Sequence, residues 1–186
     1  MKLDLLTPKT APEASRPLLD GVQKKLGGFL PNLYAQMANS PAILEAYLTL
    51  SDILGKTGFT PAEQQLILLT ASARNGCTYC VAAHSSGGRM AGLDKLAIAA
   101  VRDGEIIEDT RLQALRLFTE QQMEARGKIG SEAVRAFVAA GFSEILAAEV
   151  LIGISMKALS NSFARMMETP LEGIMAKMEW AGNDRV

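Results

Sequence analysis

Apolar residues in this chain recur at three- and four-residue intervals over most of its length, and that spacing leaves little besides helices to build with. Strand signals are nearly absent: β-branched alternations are few, and no Asn-Gly hairpin turn joins two apolar runs. PEASRPLLDGVQKKLGG predicts a first helix ending at Gly27 and Gly28, and Pro31 sits at a plausible first helical position. In PAILEAYLTLSDILGKTG, Ile43, Leu44, Tyr47, Leu48, Leu50 and Ile53 form a broad apolar stripe behind a Ser40 cap. Thr60-Pro61-Ala62-Glu63 opens the next helix, QQLILLTASARNG. Thr60 is placed to accept from the Glu63 amide while Glu63 reaches back to the amide of Thr60.

A further helix is expected to start near the first cysteine. LDKLAIAAVRDG, TRLQALRLFTEQQMEA and EAVRAFVAAG then follow, each bounded by Gly, Ser, Thr or Asp. Last come SEILAAEVLIGISMKALSNSFARMME and PLEGIMAKMEW. The openings at Gly58 and Gly141 are similar, which fits either a duplicated helical unit or two unrelated buried helices with similar caps. No linker or low-complexity stretch interrupts the chain. The expectation is an all-α bundle of antiparallel helices in a single domain over residues 1–186, with its core motif region at about 40–125.

Composition narrows the functional classes. With 48% hydrophobic and 21% charged residues the chain reads as a globule, not a disordered segment. A net charge of −1 gives no electrostatic case for nucleic acid or a membrane surface, and 5% aromatics are too few for a base-stacking platform. The prolines and charges of MKLDLLTPKTAPEASRP do not make a signal peptide, and no apolar run approaches the ~20 residues that cross a bilayer. A cytoplasmic location is expected, where two cysteines point to catalysis or metal binding before a structural staple.

Both cysteines and the one histidine fall within eight positions of NGCTYCVAAHSSGG, residues 75–88. On a helix Cys77, Cys80 and His84 stand at i, i+3 and i+7, along one face. A free thiol with a pKa near ~8.5 is mostly protonated at neutral pH; a helix N-terminus and a nearby imidazole both favour the thiolate. A second cysteine one turn away makes the pair a reversible two-electron site. Zinc binding would need a fourth ligand that these three residues do not supply. Core packing explains either cysteine alone but not the cluster. A thioredoxin-type fold would need a strand before the Cys-x-x-Cys, where a helix is expected. The residues call for no cofactor and no metal.

Residues 63–84, EQQLILLTASARNGCTYCVAAH, resemble the core of the carboxymuconolactone decarboxylase superfamily in its AhpD-like alkylhydroperoxidase branch. NGCTYCVAAH is similar to that branch's redox signature, and PNLYAQMANSPAILEAYLTL, ALSNSFARM, TPLE and Trp180 look like its flanks. The resemblance implies an all-α fold, assembly as a homo-oligomer (trimer or hexamer), and thiol-dependent peroxidase activity. In that scheme Cys80 attacks a hydroperoxide and becomes a sulfenic acid, Cys77 resolves it to a disulfide, and His84 accepts the proton of Cys80. A dithiol reductant or redox partner protein then restores the thiols. A redox-responsive binding protein and a decarboxylase-like lyase are the alternatives.

One position departs from the family. The glutamate of its proton relay, twelve residues before the first cysteine, is Gln65 here, and an amide accepts no proton at neutral pH. The relay is then weakened, rerouted through Glu63, or served by another carboxylate such as Glu149. Glu63 also completes the capping box with Thr60. Tyr79 reads as a packed aromatic, Arg89 as a solvated charge, and the glycines of SSGGRM as the end or a bend of the motif helix.

Overall fold

The structure is a computed structural model and describes residues 3–182, so Met1, Lys2 and residues 183–186 of the expected 1–186 unit lie outside it. Among the described residues there are nine α-helices and no strand. In chain order they are α1 (Arg16–Lys25), α2 (Asn32–Met37), α3 (Pro41–Leu54), α4 (Pro61–Arg74), α5 (Thr78–Met90), α6 (Lys95–Asp103), α7 (Thr110–Glu124), α8 (Ser131–Ala139) and α9 (Glu144–Met166). Short 3-10 segments precede α1 at Glu13–Ser15 and follow α9 at Gly173–Met178. PLEGIMAKMEW therefore gives a 3-10 turn, not a full helix.

Helix α4 is central. Its residues Leu66, Ile67, Leu68 and Leu69 are all buried, and it packs against α5, α7 and α9. One apolar cluster gathers α4, α6, α7 and α8, with Phe137 stacked between Phe118 and Phe142 at 4.2 and 4.4 Å. The other joins α1 to α3 with α5 and α9 and contains both cysteines.

Helix α9 is 23 residues long and apolar enough, by length and composition alone, to cross a bilayer, contrary to the expectation from the apolar runs. It packs instead on α3 and α4 with Lys157 and Asn161 on its buried face. Polar side chains buried on that face mark a core helix. Gly153 makes the close approach possible, since a Cβ there would lie 2.6 Å from Ile67 Cγ2.

Capping places the helices where the sequence puts them. Ser40 caps α3 through the Ile43 amide, and the Thr60/Glu63 capping box is complete in both directions. Pro31 stands one position earlier than expected, as the N-cap of α2.

Candidate active site

The corner between α4 and α5 is built from the backbone up. Gly76, at φ 63°, takes the left-handed position after the Asn75 C-cap. Its amide donates to the Ala73 carbonyl (3.1 Å) and the Cys77 amide to the Ser72 carbonyl (3.0 Å). These are the paired bonds of a Schellman ending, and glycine fits because it bears no Cβ penalty there. The turn delivers Cys77 to the N-cap of α5, where its sulfur accepts from the Cys80 amide at 3.4 Å. A thiol thus fills the capping role usually held by a hydroxyl or carboxylate.

From α9, Asn161 fastens this corner: it accepts from Asn75 Nδ2 (2.8 Å) and donates to Ser72 Oγ (3.3 Å). Arg165 donates to the Asn75 carbonyl at 2.8 Å.

Both cysteines are free thiols, and each is 1% exposed. Cys80 nevertheless lines a cavity of about 510 Å³ together with His84, Gln65, Lys157, Tyr34 and Tyr47. Leu26, Phe29, Leu33, Ile174 and Met175 make its walls largely apolar. Burial alone would raise the Cys80 thiol. A hydrogen bond from Cys77, the charge of Lys157, and hydrogen bonds from Asn161 and Lys157 outweigh it and bring the group down to about 6. Cys77 moves the opposite way, raised by its hydrogen bond to Cys80, by burial and by the neighbouring sulfur's charge. The two sulfurs are thus pushed in opposite directions, Cys80 on the cavity toward the thiolate and Cys77 toward the thiol.

His84 sits on α5 one turn beyond Cys80. Its Nδ1 is 3.0 Å from Gln65 Oε1, and its Nε2 is 2.8 Å from Lys157 Nζ. An ammonium only donates, so Nε2 accepts and the proton is on Nδ1, donated to Gln65. Burial and the Lys157 charge both hold His84 well below the ordinary imidazole value, in the neutral form. Gly87 leaves room for the Gln65 amide, because a Cβ would lie 2.9 Å from Oε1. The glycines of SSGGRM lie inside the helix, which runs on to Met90, and a Cβ at Gly88 would meet Leu93 and Ile98.

Several expectations change with this geometry. Both ring nitrogens of His84 are engaged, Nε2 by Lys157 and Nδ1 by Gln65, and Lys157 lines the cavity beside Cys80. Gln65 is in the site, as His84's partner. Glu63 is not. Its carboxylate accepts from Thr60 N (2.9 Å), Thr60 Oγ1 (3.0 Å) and Arg111 Nε (2.9 Å). Nor is Glu149, which accepts from the Gly58 amide at 3.1 Å. Tyr79 donates to Glu172 Oε1 (2.9 Å) and accepts from Leu33 N (3.3 Å), tying α5 to the segment that forms one cavity wall. Arg89 is exposed.

Lys157 and Asn161 were not singled out from the sequence. A signal was there: Lys157 is the one charge between Glu149 and Arg165, and it falls on the three-and-four stripe of Val150, Gly153, Ser160 and Ala164. Among the described residues, no group of three or more His, Cys, Asp or Glu is placed to hold a metal ion.

Comparisons with known proteins bear on fold and family. Residues 41–120 match the carboxymuconolactone decarboxylase family. No curated protein matches the sequence. Among solved structures, a peroxidase-related protein with an alkylhydroperoxidase AhpD core from Ralstonia eutropha JMP134 superposes with a TM-score of 0.84 at 23% identity. It covers 98% of this chain and 97% of its own. A peroxidase-related protein from Silicibacter sp. TM1040 reaches 0.78 at 18% identity over 94% and 92%. The debrominase Bmp8 without ligand reaches 0.75 at 19% identity over 93% of each chain. Residues 41–120 of this all-helical chain match the carboxymuconolactone decarboxylase family, and its fold is that of the AhpD-like proteins.

Proposed function

We propose that the protein is a thiol-dependent peroxidase that reduces organic hydroperoxides through Cys80 and Cys77. The observation that carries the reading is a Cys80 thiol, lowered to about 6, lining a cavity of about 510 Å³ with a second thiol, Cys77, whose sulfur accepts from the Cys80 amide. The thiolate attacks the outer oxygen of the O–O bond, giving a sulfenic acid and an alcohol. Cys77 then displaces water from that sulfenic acid and closes a disulfide, which an external dithiol reduces. The cavity volume and apolar walls suit a bulky organic hydroperoxide. Turnover of cumene hydroperoxide with dithiothreitol, in wild type and in Cys80→Ser, tests this. Wild type should cycle and the variant should not; equal rates in the two would end the proposal.

A second reading has one observation in its favour. The debrominase Bmp8 shares the fold and has been seen as a C82A variant with 2,3,4-tribromopyrrole, at a TM-score of 0.72. A thiolate in an apolar cavity can attack halogen as well as oxygen, with the same dithiol supplying the electrons. Bromide release from that pyrrole, without hydroperoxide consumption, would select this chemistry.

A further inference from the structure

We propose that Lys157 is the acid of the reaction: its ammonium is the counter-ion of the Cys80 thiolate, and it gives its proton to the departing alkoxide, leaving a neutral amine in the oxidised site. The alkoxide half rests on the peroxidase reading above; the ion pair rests on the burial of Lys157, its bond to His84 and the cavity it shares with Cys80.

Lys157 is 1% exposed, and an ammonium so buried needs an anion beside it. Among the described residues no carboxylate forms an ion pair with it; the pairs found are Lys25 with Asp52, Arg74 with Glu124, Arg111 with Glu63, and Arg116 with Glu120. The titratable groups around it are Cys77, Cys80 and His84 of α5, Tyr34 of α2 and Tyr47 of α3. Burial foremost raises both tyrosine hydroxyls, hydrogen bonding to Cys80 raises Cys77, and the imidazole is neutral. The Cys80 sulfur is the anion that remains.

Position fits the role. Lys157 donates to His84 Nε2, one turn beyond Cys80 on α5, and its side chain lines the same cavity as Cys80. An ammonium has three donors, and with one on His84 two remain for the Cys80 sulfur and an oxygen bound over it.

The balance closes. Thiolate, ammonium and ROOH give sulfenic acid, amine and ROH: the S–O bond forms, the O–O bond breaks, sulfur is oxidised and the Lys157 proton ends on the alcohol. Disulfide closure then releases water from the sulfenic acid and the Cys77 thiol. With the thiolate gone, a retained ammonium would be a buried charge without a partner, which is the unfavourable state. Reduction by the dithiol returns a proton to the amine and the charge to Cys80.

The test counts protons with an indicator dye in weak buffer near pH 7.5. In the first arm, iodoacetamide caps Cys80 with no peroxide present, after thiolate absorbance has shown the sulfur ionised. Wild type should release about one proton per thiol capped, because Lys157 loses its counter-ion. Lys157→Arg, whose guanidinium keeps its proton, should release none. In the second arm one equivalent of cumene hydroperoxide is added. Wild type should take up no proton, and Lys157→Arg about one per disulfide. Wild type behaving as the arginine variant in the first arm would overturn the inference.

Should Lys157→Arg fail to fold, Lys157→Met, similar in volume, replaces it. The pH midpoint of Cys80 alkylation should then rise from near 6 toward that of an ordinary thiol, and an unmoved midpoint would equally overturn the ion pair. If wild type passes the first arm and consumes no hydroperoxide, the peroxidase reading fails while the ion pair stands.

Discussion

Lys157 Nζ lies 2.8 Å from His84 Nε2, so the chain's one imidazole is held between a cation and the Gln65 amide, with neither ring nitrogen free. A histidine so held is a spacer and hydrogen-bond conduit more than a base. Its neighbours, not the ring, set the charge on Cys80.

The two thiols should differ sharply in reactivity. Alkylation of Cys80 is expected to follow a midpoint near pH 6, while Cys77 stays unreactive at neutral pH because its thiol is raised. Thiol titration should count two groups in the reduced protein and none after mild peroxide, with no cross-linked dimer on a non-reducing gel. Cys77→Ser should stop at a sulfenic acid that dimedone traps.

Protonation of His84 should destabilise the fold. In the unfolded chain an imidazole takes up its proton near 6.5, whereas folded His84 resists it. The unfolded state thus binds more protons below that pH. The contribution is fully present above 6.5 and is lost as the pH falls, by up to about 1.4 kcal/mol per pH unit. Urea midpoints at pH 6 and pH 5 should show the fall, and His84→Gln should flatten it.

Gln65→Glu restores the family's carboxylate directly against Nδ1. An opposite charge at that distance raises an imidazole by about 1–3 pH units. NMR of the one histidine reads the shift without assignment ambiguity. An unmoved titration would mean that the carboxylate turns away from the ring.

Gly87→Ala separates site geometry from stability. In a helix interior alanine is favoured over glycine by roughly 0.5–1 kcal/mol, yet here its Cβ would meet Gln65 Oε1 at 2.9 Å. Melting temperature should hold or rise slightly, while hydroperoxide turnover falls several-fold as Gln65 is pushed from His84.

Gly153→Ala acts between α4 and α9. Its Cβ would lie 2.6 Å from Ile67 Cγ2, so the helices must separate, with an expected loss of about 1–3 kcal/mol. A lower melting temperature checks this. Because Lys157 follows one turn later on α9, the Cys80 alkylation midpoint should rise in the same variant.

What the sequence made legible was local. Cys77, Cys80 and His84 share a face because helical spacing decides it, and Gln65 stood out against a family pattern. The capping box predicted Glu63's bond to Thr60, and Arg111 is the partner it did not show. Lys157 lies 73 positions from His84, so no spacing rule joins them. The packing of α9 on α4, set by Gly153 against Ile67, brings them together.

Cys77 carries a consequence of its own. The sulfur that would close onto Cys80 is also the atom that receives the first-turn amide of α5. Oxidation therefore conscripts the clasp that begins the helix, and reduction hands it back. Each turn of the proposed cycle would end with α5 re-latched.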